Sequence, residues 1–152
     1  MNAECVTLDS NILVHAADTR DPAKHDAAIE LVAAAAKSRS KLGLQAIGEF
    51  FVVCTRKLRF PAPIIHKRVE DLLTAFETFS HTRSALSQAA ALAASGRYFL
   101  WDAVLLASAE EAGCTLMLSE DMADGAKLGR IAVSNPFRPD GLSEVARDAL
   151  GL

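Results

Sequence analysis

Strand-type runs and helix-type runs take turns along this chain from one end to the other. The apolar stretch at 6–8 is a short strand ending at Asp9. Further strands are predicted at 42–45, 78–81, 115–118 and 131–134, the last closed by Asn135-Pro136. Between them the apolar positions recur at helical spacing. Asp21-Pro22 opens a helix that places Ala28, Leu31, Val32 and Ala35 on one face. Ile47, Phe50, Phe51, Cys54 and Leu58 mark a second helix, which Phe60-Pro61-Ala62-Pro63 interrupts. Ile65, Val69, Leu72, Leu73 and Phe76 mark a third, and further helices are predicted at 84–95, 101–112 and 142–150. The alanine-rich segments fall inside these helices, as expected for the best helix former. Such alternation predicts an α/β fold, with a central parallel sheet of four to five strands and helices on both faces.

The chain of 152 residues is the size of one domain, so a single domain over 1–152 is expected. Its motif-bearing core runs over 5–137, followed by a short tail helix at 142–150. A hydrophobic fraction of 51% and a charged fraction of 23% exclude a disordered or fibrous chain. Three sparse cysteines, Cys5, Cys54 and Cys114, form neither a disulfide framework nor a zinc motif, and read as small buried hydrophobes in a reducing compartment. The N-terminus has no secretory pattern, and no apolar run approaches the ~18 residues of a membrane span. A cytoplasmic protein with no membrane partner is expected. Lys and Arg number 16 against 19 Asp and Glu, a net charge of −3 that argues against a broad basic nucleic-acid surface.

Four acids stand out by position. Asp9 ends the first strand, and Asp121 follows the strand at 115–118. Glu49 and Asp102 fall in the first turns of helices. In a parallel α/β sheet, strand C-termini and helix N-termini share one edge, where such folds bind ligands. The helix dipole alone favours an acid in a first turn, so position by itself leaves capping and chemistry both open. Carboxylates gathered at one edge repel one another and call for a compensating cation. Mg²⁺, as one or two ions, would suit oxygen ligands beside a phosphodiester. Without these four acids the count is 16 basic against 15 acidic residues.

Other features exclude rival chemistries. No glycine-rich phosphate loop is present. His15, His25, His66 and His81 follow no paired metal spacing. Asn11 stands where a haloacid-dehalogenase-like phosphatase needs a second Asp. Asp9 has no acidic neighbour of the kind a receiver domain pairs. The stretch 54–68 carries Arg56, Lys57, Arg59, Lys67 and Arg68 with no acid, either a solvated face or a grip on an RNA backbone. Trp101 is expected to pack at its helix start, with base stacking as the alternative.

The motifs around the acids resemble those of PIN-domain ribonucleases. Val6-Thr7-Leu8-Asp9-Ser10-Asn11-Ile12-Leu13 resembles the family's first motif, and Gln45-Ala46-Ile47-Gly48-Glu49-Phe50 its second. Trp101-Asp102-Ala103-Val104-Leu105-Leu106-Ala107 resembles the third, and Leu116-Met117-Leu118-Ser119-Glu120-Asp121-Met122 the fourth. Val133-Ser134-Asn135-Pro136-Phe137 is similar to the closing strand, and the ordered set spans 6–137. Size and N-terminal start resemble VapC-type toxins of toxin–antitoxin pairs. The resemblance implies a Mg²⁺- or Mn²⁺-dependent endoribonuclease that leaves 5′-phosphate and 3′-hydroxyl ends. Asp9, Glu49, Asp102 and Asp121 would be the catalytic metal ligands. Asn11 and Ser119 would support them, with Asp124 a further peripheral acid. Glu120, Asp121 and Asp124 all compete for the fourth position, and Asp121 matches the family spacing. The resemblance also implies an RNA substrate, a VapB-like antitoxin on a separate chain and a homodimer. A non-catalytic PIN-like module that binds RNA or protein is the alternative.

Overall fold

The computed structural model describes residues 4–152; residues 1–3, which open the expected domain, lie outside it. Strand β1 (Val6–Leu8) pairs in parallel with β4 (Leu116–Leu118), which pairs in parallel with β6 (Ile131–Ser134). The α/β class is as expected, but the sheet is mixed. Its fourth strand, β5 (Lys127–Leu128), runs antiparallel to β6. The cause is the link between them: Leu128 pairs with Ile131, leaving only Gly129 and Arg130 to connect the strands. Parallel neighbours need a long crossover, whereas two residues close a hairpin, with Gly129 supplying the positive φ of 56°.

The other expected strands form a second parallel ladder, β2 (Lys41–Gly43) with β3 (Glu77–Phe79). This ladder lies beside β1 without joining its hydrogen-bonded sheet. Both strands differ from their predicted positions. The stretch 42–45 reads as one apolar run, but Leu44 and Gln45 already belong to helix α3 (Leu44–Val52), which buries Ala46, Ile47 and Phe50. The third strand ends at Phe79 rather than reaching His81, and Thr82 then caps α5 (Arg83–Ala94) by accepting from Ala85 N–H at 3.1 Å. A small hairpin, β7 (Phe137–Arg138) with β8 (Gly141–Leu142), follows the sheet and was not anticipated.

The remaining helices are α1 (Ser10–His15), α2 (Pro22–Ala36), α4 (Ala62–Ala75), α6 (Leu100–Glu111) and α7 (Glu144–Leu150). They stand close to their expected places, apart from α1, which follows β1 directly after Asp9 and for which no separate helix is predicted. Helix α3 does not run straight to Leu58. It passes into a π-helical turn over Val53–Lys57, and Arg59 then takes a positive φ of 58° before Pro61.

Side-chain alternation covers both faces of the sheet. On β4, Leu116 and Leu118 join a core with β1, α1, α2 and α3. Met117, between them, points the other way into a core with Leu105 and Leu106 of α6 and with Ile131 and Val133 of β6. Strands buried on both faces read as largely apolar runs, which is why 6–8, with only Thr7 polar, and 131–134, with only Ser134 polar, were legible. Burying each of these side chains stabilises the fold by about 1.5–3 kcal/mol. Cys54 and Cys114 are buried, and Cys5 is half-buried with its Sγ 3.0 Å from that of Cys114. No helix among the described residues is long and apolar enough to cross a membrane.

Candidate active site

Asp9 follows β1 and caps α1, so its position is set by backbone on both sides. Asp9 is only 5% exposed, and its carboxylate accepts three hydrogen bonds. Ser10 N–H donates to Oδ1 at 2.7 Å; Ser119 Oγ and Asn11 Nδ2 donate to Oδ2 at 2.8 and 3.2 Å. Burial raises its pKa from 3.8 to about 6, against the lowering effect of Ser119 and the Ser10 amide, with the Asp102 and Glu49 charges pushing upward.

Ser119, fully buried after β4, links this strand end to the next loop, because its Oγ also accepts from the amides of Asp121 and Met122, each at 3.2 Å. Asn11 makes the second link. Its Nδ2 reaches Asp121 Oδ2 at 3.3 Å, and its Oδ1 accepts from Glu120 N–H at 3.2 Å.

Glu49 lies in the second turn of α3, not the first, because the helix begins at Leu44. The helix dipole therefore accounts for less of its presence. Ser10 Oγ donates to its Oε2 at 3.0 Å, and Gln45 Nε2 donates to its Oε1 at 2.7 Å. Asp102 does sit in the first turn of its helix, α6. Partial burial raises its pKa, and repulsion from Glu49 and Asp121 adds to the shift.

The structure thus brings Asp9, Glu49 and Asp102 within electrostatic reach of one another at one edge; Asp121 is within reach of Asp102 and is linked to Asp9 through Asn11. None of the four forms an ion pair with Lys, Arg or His among the described residues. The donor set is all oxygen and all anionic, which suits a hard divalent cation. No group of three His, Cys, Asp or Glu among the described residues is set closely enough to hold an ion alone. An ion here would complete its shell with water and a phosphate oxygen, as Mg²⁺ ordinarily does.

The three neighbouring acids separate by partner. Glu120 is tied to Lys24 and, at 2.9 Å, to His15. Although its burial works the other way, these two hydrogen bonds hold its pKa below the usual range. Asp124 is exposed and accepts from Asn135 N–H at 2.9 Å, bracing the loop against the end of β6. Asp121 alone of the three turns to Asn11 and the carboxylate cluster.

Sequence reasoning missed Ser10, Gln45 and the His15–Glu120–Lys24 group. Gln45 stands four residues before Glu49, a spacing that places both on one helix face. His15 and His25, unpaired in the chain, also meet: His25 Nδ1 lies 3.0 Å from the His15 carbonyl. Trp101 does not pack away at its helix start but is 55% exposed, in edge contact with His81. In the basic stretch, Arg56 and Lys57 are exposed in the π-helical turn, and Arg59 follows it. Lys67 pairs with Asp71 at 2.7 Å, and Arg68 faces a cavity between α2 and α4.

Residues 6–123 match the PIN domain family. No curated protein matches the chain by sequence. Among solved structures, the chain is similar to the sarcin-ricin loop cleaving toxin VapC20 of Mycobacterium tuberculosis, at 18% identity and a TM-score of 0.60, over 76% of this chain and 91% of that one. It is similar to a toxin–antitoxin complex from Klebsiella pneumoniae, at 18% identity and a TM-score of 0.62, over 87% of this chain and 98% of that one. It is also similar to FitAB bound to an IR36 DNA fragment, at 16% identity and a TM-score of 0.63, over 86% of this chain and 94% of that one. At these identities the likeness is one of fold. The extent of the domain match decides the family: this chain belongs to the PIN-domain family.

Proposed function

We propose that this chain is a Mg²⁺- or Mn²⁺-dependent endoribonuclease, the toxin of a toxin–antitoxin pair, acting in the cytoplasm. The observation that carries this reading is the grouping of Asp9, Glu49, Asp102 and Asp121 at one sheet edge, none of them ion-paired with Lys, Arg or His among the described residues. One or two bound cations would activate a water and offset charge on the scissile phosphate. The chain's own part is to hold the ligands. Ser119, Asn11 and the Ser10 amide fix both oxygens of Asp9. Ser10 and Gln45 fix Glu49, and Asn11 carries Asp121. Asp102, whose carboxylate makes no hydrogen bond among the described residues, is the ligand left free to adjust. Asp124 acts on the site only through the loop that it braces.

The toxin role draws on the VapC20 and Klebsiella likenesses, one described as a toxin that cleaves the sarcin-ricin loop, the other as a toxin–antitoxin complex. An antitoxin on a separate chain and a homodimer follow from the same analogy. Arg56 and Lys57, which extend from the helix that carries Glu49, are the proposed backbone contacts, with Arg59, Lys67 and Arg68 extending that basic face.

The test is to map RNA ends after induced expression and with purified protein, for wild type and Asp9→Asn. Cleavage by the wild type that needs divalent metal, and none by Asp9→Asn, is the expected result. Equal cleavage by the variant would sink the assignment. RNA and metal binding with no turnover would leave the non-catalytic module.

A further inference from the structure

Two cavities lie at the start of α6, the helix that carries Asp102, and each is lined by an exposed aromatic residue. The first, about 360 Å³, is lined by Arg97, Tyr98, Phe99, Asp102 and Asp121. The second, about 370 Å³, is lined by Gln45, His81 and Trp101, among others. Both lie at the small end of the roughly 300–1,000 Å³ range of ligand pockets, a size that suits one nucleotide each. Phe99 is 84% exposed, and Trp101 is 55% exposed. Single exposed apolar side chains are ordinary. Two aromatic residues at the start of the helix that carries an acid of the proposed catalytic cluster, each lining its own cavity, are a pattern of a different kind. The second cavity also connects to that cluster. Gln45 Nε2 donates both to the Trp101 carbonyl at 2.9 Å and to Glu49 at 2.7 Å. Arg97, in the wall of the first, makes no ion pair among the described residues.

We infer that Phe99 and Trp101 are stacking platforms for the two nucleotides on either side of the scissile phosphate of a single-stranded RNA, with Arg97 taking a backbone phosphate on the Phe99 side. The inference rests on the nuclease reading above and names how its substrate is held. Aromatic faces bind unpaired bases of any sequence, whereas in a duplex those faces are already stacked. The charges of Arg97 and Asp102 break up the apolar surface, which suits an alternating base-and-phosphate chain better than a protein face.

Trp101 is the only tryptophan in the chain, so its fluorescence reports on one platform directly. The probe is a phosphorothioate-linked single-stranded hexauridine in Mg²⁺, with strand integrity checked on a gel. Affinity is read separately, by anisotropy of a fluorescein-labelled copy. The expected results are saturable quenching of Trp101 and an affinity about tenfold weaker for Phe99→Ala and for Trp101→Ala. Phe99→Tyr and Trp101→Phe, which keep a ring, should recover the affinity. Wild-type affinity in both alanine variants would overturn the platform, as would no binding by the wild type. A change in sedimentation with affinity unchanged would make the surface a protein interface and overturn it too. These outcomes are independent of the Asp9→Asn cleavage test. A nuclease indifferent to Phe99→Ala loses the platform alone, and ring-dependent binding without cleavage loses the nuclease alone.

Discussion

Ser119 Oγ donates to Asp9 Oδ2 at 2.8 Å, and both residues are buried, although 110 positions separate them in the chain. This bond joins the ends of the adjacent parallel strands β1 and β4 and turns two strand termini into one rigid corner. The same hydroxyl accepts from the Asp121 and Met122 amides, so one small side chain also shapes the loop that carries the fourth acid.

Ser119→Ala removes that hydroxyl and leaves two amides and a carboxylate oxygen short of a partner. The expected cost is about 1–3 kcal/mol, read by urea denaturation. Because the Ser119 hydrogen bond lowers the Asp9 pKa, its loss should also move the acid limb of the cleavage–pH profile to higher pH. An unmoved limb would mean that Asp9 does not govern it.

Asp9 itself makes stability depend on pH. Its folded pKa of about 6 lies above the ordinary 3.8, so the folded chain holds this proton more tightly than the unfolded one. Its favourable contribution is present below about pH 4 and is lost as pH rises through about 6. In EDTA, Asp9→Asn should be more stable than wild type at neutral pH by up to about 3 kcal/mol, and the gap should narrow toward pH 4.5. Thermal melts across that range check this; a constant gap would contradict it.

Divalent cations should stabilise the wild type. An ion that binds only the folded state adds about 2.7 kcal/mol at a hundred times its Kd, whatever its effect on activity. Mn²⁺ and Mg²⁺ should therefore raise the melting temperature of the wild type but not of Asp9→Asn or Asp102→Asn. Equal shifts in all three proteins would place the ion elsewhere.

Thr7 lies in β1 with its side-chain hydroxyl buried and without a hydrogen-bond partner among the described residues. Thr7→Val keeps the shape and removes that polar atom, and should raise stability by about 1 kcal/mol with cleavage unchanged. A destabilised variant in the same melts would show that the hydroxyl has a partner.

Several elements were legible in the sequence because their signals are local. Residues 131–134 form a strand buried mostly on both faces, so the run is apolar up to its last residue, Ser134. Asp21-Pro22 carries its own cap and fixed φ, so the start of α2 is written there. The end of β2 was not legible, since Leu44 and Gln45 suit either state and the length of the β2–β3 ladder decides between them. Trp101 was misplaced for a related reason. A tryptophan beside a helix start reads as packing, and only its neighbours reveal that half of it remains open to water.

The residue types of the chemistry were present in the chain from the start: four acids, each at a strand end or near a helix start. Their choice of partner was not. Glu120 and Asp121 are adjacent and chemically alike, yet one turns to Lys24 and His15, and the other to Asn11. Composition and periodicity determined the α/β class and the edge at which the acids gather, because both follow from local propensity and from the antiparallel packing of helices on parallel strands. The tertiary structure decided which acids share a field and which are neutralised. Electrostatic energy depends on distance and burial, and those are set by contacts between residues up to 110 positions apart.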